Sequence, residues 1–125
     1  LIMASIFETV AGNAIGYPVG LGGAVTQATS KSTGVTLNFP SGSITMNGAA
    51  LADATNVSFT VTNSSIAATD VVIVNHASAG TAGAYSVLAN AVAAGSFAVT
   101  VRNVSGGSLS QAIVLSFAVI KGAAA

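Results

Sequence analysis

The chain has 125 residues, 52% of them hydrophobic and only 5% charged, with three Lys+Arg against three Asp+Glu and no Cys. One domain is the default at this length. A zero balance excludes nucleic-acid binding through clustered phosphate contacts. The lack of Cys excludes disulfide staples, thiolate zinc sites and a cysteine nucleophile. A mean hydropathy of +0.80 invites a membrane reading. However, the longest apolar stretches, 71–74 and 112–120, are far shorter than the roughly 20 residues that a spanning helix needs. Five Phe and two Tyr are too few for the aromatic girdles of a membrane barrel, so the chain reads as soluble and without a membrane partner.

Residues 1–23 form a leader with no sustained alternation, punctuated by Gly12, Gly16, Gly20, Gly22 and Gly23. Pro18 and the Gly22-Gly23 pair argue against a GxxxG membrane helix. The first ten residues lack the positive n-region of a secretory signal, and Glu8 interrupts them. The leader is expected to be irregular, an arm whose Ile2, Met3, Ile6, Phe7 and Tyr17 anchor on a neighbouring subunit.

From Ala24 the pattern has period two. A first strand is expected over 24–29. Val35, Leu37 and Phe39 then alternate with Thr36 and Asn38, and Pro40-Ser41-Gly42-Ser43 forms a turn. Ile44 and Met46 alternate next, followed by Val57, Phe59 and Val61 against Ser58, Thr60 and Thr62. Val71-Val72-Ile73-Val74 is a continuous β-branched run, as expected of a strand covered on both faces. Tyr85, Val87 and Ala89, then Phe97, Val99 and Val101, then Ile113, Leu115, Phe117 and Val119, complete the alternating set. Turn-rich clusters separate these runs, and no segment has a capped helical period. The expectation is an all-β, antiparallel β-sandwich, jelly-roll-like, of about eight short strands over 24–122, with a tail at 123–125. Its core is expected around Phe39, Phe59, Tyr85, Phe97 and Phe117.

Chemistry is sparse. Asp70, His76 and Ser78 make a triad only on paper, because a strand of roughly 20 Å separates Asp70 from the single His. Asp53 and Glu8 have no acidic partner in sequence, so a glycosidase pair is unsupported. One His with scattered acids does not make a zinc or calcium site, and no phosphate loop is present. No enzyme activity, cofactor, metal or small-molecule substrate is therefore expected. Asp53 and Asp70 are better read as turn stabilisers, and Arg102 as a solvated side chain or one reaching across a subunit boundary to Asp70. Three Asn-x-Ser triplets, at Asn56, Asn63 and Asn103, are coincidences of an Asn- and Ser-rich chain. A surface with so few charges has little protection against association, which favours an oligomer or a part of a larger assembly.

Several stretches resemble a known family: Val25-Thr-Gln-Ala-Thr-Ser-Lys-Ser-Thr-Gly-Val-Thr-Leu-Asn38, Phe59-Thr-Val-Thr-Asn63, Ala93-Ala-Gly-Ser-Phe97 through Arg102-Asn103, Gly106-Gly107-Ser108-Leu109-Ser110, and Phe117-Ala-Val-Ile-Lys121. Together they resemble small β-sandwich structural proteins of tailed bacteriophages, a group that includes capsid cement, or decoration, proteins. The likeness runs from about Gly23 to Lys121 and leaves the leader outside. It implies a virion protein on the outer capsid surface, a homo-oligomer (a trimer favoured over a dimer), with the major capsid protein as partner. A fibre or receptor-binding module that grips a host glycan or surface protein is the alternative within the same resemblance.

Overall fold

The computed structural model describes residues 8–10 and 14–123 of the chain. Its strands are β1 (Glu8–Val10), β2 (Ala14–Gly16), β3 (Gly22–Thr26), β4 (Val35–Thr36), β5 (Ser41–Thr45), β6 (Ala50–Leu51), β7 (Asn56–Thr62), β8 (Val71–Ser78), β9 (Tyr85–Ala93), β10 (Ser96–Asn103), β11 (Leu109–Ser110) and β12 (Val114–Ile120). Eight of these answer to the predicted strands. The short β6 and β11 pair with each other, as do β1 and β2.

Alternation along each long strand separates a buried face from a polar one, and two four-stranded sheets result. One has the order β3-β5-β12-β8 and the other β4-β7-β10-β9. The chain is wound first-with-last: β5 pairs with β12, β6 with β11 and β7 with β10, all antiparallel. The innermost strands, β8 and β9, then face each other from opposite sheets. This first-with-last nesting of eight strands resembles that of a jelly roll. Two outer pairs, β3 with β5 and β4 with β7, are parallel, which alternation within one strand cannot reveal. Close approach at the first of these pairs requires glycine. A Cβ on Gly42 would lie 2.5 Å from the carbonyl oxygen of Gly23 across the pair.

The core lies between the sheets and contains Ile44, Met46, Val61, Phe97, Val99, Val101, Ile113, Leu115 and Val119. Phe97 of β10 meets Phe117 of β12 with ring centroids 5.5 Å apart and planes inclined by 55°, joining the two layers. Phe59 and Tyr85 are buried as the sequence predicts. Phe39 is not: it is 36% exposed, because its ring lies over the bare backbone of Gly23 instead of between the sheets.

Two further expectations are corrected. The run 71–74 is not covered on both faces: β8 is an edge strand whose Val71 and Ile73 are each 54% exposed, while Val72 and Val74 pack inward. The leader is not irregular throughout, since β1 and β2 form an antiparallel hairpin with Glu8 opposite Gly16.

Candidate functional surface

The ionisable residues, few enough to follow singly, sit mainly in the connections at the strand ends. Asp70 closes the turn before β8. Its carboxylate accepts from the backbone N–H of Ala67 at 2.8 Å and of Gly122 at 3.3 Å, and from Lys121 Nζ at 2.5 Å. Burial alone would raise the Asp70 pKa, but the Lys121 hydrogen bond, the two backbone donors and the Lys121 charge together hold it below its ordinary value. The local turn role is therefore present, and a clamp between the start of β8 and the end of β12 is added to it. Arg102 reaches instead to Asn56, with Nη1 3.0 Å from Oδ1 on the outer face of β10 and β7. The expected pairing of Arg102 with Asp70 is thus replaced within the chain by Lys121, since the Asp70 side chain has no exposed surface left.

An expected result follows from that clamp. The unfolded chain binds a proton at Asp70 before the folded chain does, so the contribution is complete above about pH 4 and is lost as pH falls through the lower folded-state value. Asp70→Asn should cost about 1–2 kcal/mol at neutral pH, discounted because Lys121 is 43% exposed. Thermal melts of both proteins between pH 7 and pH 2 should show the gap closing at the acid end.

Lys31 is the second buried ion, 4% exposed, in the loop between β3 and β4. Its Nζ donates to the carbonyl oxygens of Asn47 and Gln111, and burial pushes its pKa below the ordinary value. Lys31 therefore acts as a strut between three loops. Gln27 completes it: Nε2 donates to the Lys31 and Thr33 carbonyls at 2.9 and 3.0 Å, and Oε1 accepts from Asn47 N–H at 3.0 Å. Asp53 accepts from Gly106 N–H at 2.8 Å, bridging connections far apart in sequence. His76 lies on β8 with Nε2 2.6 Å from the Ala79 carbonyl and its ring edge-on to Tyr85. Asp70 and His76 belong to opposite ends of β8, so the paper triad is not assembled. No group of three or more His, Cys, Asp or Glu comes together among the described residues.

Of the arm anchors, Ile2, Met3, Ile6 and Phe7 lie outside the described residues. Tyr17 is seen, and it is anchored on its own sandwich: its hydroxyl donates to the Val119 carbonyl. Burial, and then the nearby Asp70 charge, raise its pKa.

Sequence reasoning missed two side chains, Asn63 and Asn103, which are fully buried at the ends of β7 and β10. Asn63 Nδ2 donates to the Phe39 carbonyl at 2.7 Å, and its Oδ1 accepts from Ser65 N–H at 2.9 Å. Asn103 does the same with Leu51, Gly107 and Ser105, at 2.7, 2.8 and 2.9 Å. The signal for them was the shared pattern Phe59-x-Val61-x-Asn63 and Val99-x-Val101-x-Asn103. In the antiparallel register Phe97 lies opposite Val61 and Val101 opposite Val57, which puts the two Asn residues at opposite ends of the strand pair.

What remains for contact with other molecules is two flat faces. The outer face of β7, β10 and β9 is a ladder of hydroxyls and amides, with Ser58 Oγ 2.7 Å and Asn90 Nδ2 2.9 Å from Thr100 Oγ1. On the outer face of the other sheet, Ala118 lies between Ile73 and Ser41, and Ser116 between Asn75 and Ser43. Its strands β3, β5 and β12 carry no ionisable side chain, and β8 only the inward-facing His76. The chain matches no protein-family model, no curated protein and no solved structure.

Proposed function

We propose that this chain is a structural protein of a bacteriophage virion, of the capsid cement type. It binds the outer surface of the capsid and stabilises contacts between major capsid subunits. The observation that carries this reading is the fate of the charges. Lys31 and Asp70 are buried in the fold, the exposed Lys121 is paired with Asp70, and Arg102 and Asp53 each hold a polar group of the same chain. Two broad faces are left nearly without free charge. Such a surface suits burial against neighbours: it brings little desolvation cost from stranded ions, and little repulsion to keep copies apart. The family resemblance of residues 23–121 supplies the kind of neighbour. A modest interface per copy suffices there, because many copies act together on one shell.

The experiment adds purified protein to shells stripped of surface proteins. Binding should saturate at a fixed number of copies per capsomer and raise the temperature at which the shell disrupts. Absence of saturable binding overturns the reading. Adsorption to host cells or to a glycan array instead would move the chain to a fibre.

A further inference from the structure

Lys31 is a buried ammonium without an anion. Among the described residues the ion pair present is Lys121 with Asp70, and the partners of Lys31 Nζ are carbonyl oxygens. One of those oxygens belongs to the peptide that joins Asn47 to Gly48. Asn47 is the only Asn in the chain that Gly follows. The pair stands in the connection between β5 and β6, with Asn47 half-buried and Gly48 exposed. The backbone N–H of Ala49 donates to Asn47 Oδ1 at 2.9 Å, whereas Asn47 Nδ2 donates to the Ala28 carbonyl at a long 3.3 Å. The Gly48 N–H has no backbone partner among the described residues. A Cβ on Gly48 would meet nothing nearer than 3.9 Å, and Gly48 is not among the positive-φ glycines. Neither packing nor backbone conformation therefore calls for glycine there.

We propose that Asn47 is a self-modification site, at which the chain deamidates itself through a ring closed by Gly48 and promoted by Lys31. The Gly48 nitrogen gives up its proton to solvent and bonds to Asn47 Cγ. The Cγ–Nδ2 bond then breaks, and Nδ2 leaves as ammonia with a proton from solvent. The product is a succinimide ring. Several features of the fold favour this step. The Lys31 ammonium on the Asn47 carbonyl draws electron density from the same peptide and so stabilises its deprotonated nitrogen. The Ala49 N–H points at Oδ1, the atom on which negative charge develops during the attack. Nucleophile and electrophile belong to adjacent residues, and glycine sets no Cβ in the path of closure. Water then adds to a ring carbonyl. Lys31 polarises the one that was the Asn47 main-chain carbonyl, so the bond from that carbon to the Gly48 nitrogen breaks. The nitrogen takes back a proton, and the chain now runs through Cγ. The residue has become an isoaspartate, whose freed α-carboxylate stands where Lys31 Nζ already donates. The reaction consumes water, releases ammonia and gives the buried cation the anion it lacks. It also adds a negative charge to a chain of zero net charge. It stands independently of shell binding.

The test incubates the purified full chain at neutral pH and physiological temperature, folded in buffer and unfolded in guanidinium chloride. Peptide mass spectrometry, with fragmentation that separates aspartate from isoaspartate, follows residue 47 in both. Asn47 should convert about tenfold faster in the folded chain, chiefly to isoaspartate, since unfolding takes Lys31 and the Ala49 N–H away from the reacting groups. Lys31→Met should slow the folded-state reaction about tenfold or more. Gly48→Ala should slow it as well, while the open space at that position leaves the melting temperature unchanged. An intact Asn47, conversion no faster folded than unfolded, aspartate as the main product, or an unaltered rate in either variant would each overturn the proposal. The comparison of folded with unfolded chain needs no variant, so it decides the matter even if Lys31→Met fails to fold.

Discussion

Phe97→Ala should lower the unfolding free energy by about 3–5 kcal/mol, the largest single loss expected in this molecule. Phe97 is 1% exposed and meets Phe117 across the two sheets, so truncation leaves a cavity that neither layer can close by itself. A domain of this size holds roughly 5–15 kcal/mol in all. The variant should therefore melt well below the parent, and urea denaturation should show a lower midpoint with an unchanged slope. The double variant Phe97→Ala/Phe117→Ala should lose less than the sum of the single losses, because part of each is the same ring contact. Strict additivity would mean that the two rings pack independently.

Asn103→Ala should cost about 3 kcal/mol, comparable to the loss of a core aromatic although the residue is polar. Its amide donates to the carbonyls of Leu51 and Gly107 and accepts from Ser105 N–H. Alanine leaves all three backbone groups without that partner, at about 1–3 kcal/mol for each one that water cannot reach. Asn103→Asp should not rescue the fold at neutral pH, since a carboxylate cannot donate to the two carbonyls and would be buried without a cation. Asn63→Ala should act in the same way at the other end of the strand pair, and the two losses should add because the sites share no partner. Equilibrium denaturation of the two single variants and the double variant checks both statements.

The contrast between these two residues shows how far the sequence can be read. Phe97 stands in an alternating segment with Val99 and Val101, and period two alone assigns it to the inner face. Asn103 continues the same alternation, but its polarity and its place in a turn-rich cluster make it look like a surface residue. Only the connections of β6 and β11, brought beside it by long-range pairing, turn it into a buried tether. The same holds for Lys31, which sits among Ser30, Ser32 and Thr33 in sequence yet is buried and donates to the carbonyls of Asn47 and Gln111. The run 71–74 fails in the opposite direction. Four consecutive β-branched residues look like a fully covered strand, yet β8 is the last strand of its sheet and half of them face outward. Tyr17, read as reaching to a neighbour, instead bonds the last strand of its own chain.

The candidate surface was legible in one respect only, the scarcity of charge. Composition states that scarcity outright. Which of the few ions stay free depends on who sits beside whom: Asp70 and Lys121 are 51 residues apart and meet because β8 and β12 are sheet neighbours.

By itself, the sequence determined that this protein is all-β and layered, roughly where the eight strands of its two main sheets run and which side chains of most of them turn inward, because side-chain alternation is a local property of an extended backbone. Tertiary structure alone decided strand order, the parallel outer pairs and the buried Asn and Lys struts. Each of these rests on hydrogen bonds between residues distant in the chain, and no local pattern encodes which partner arrives.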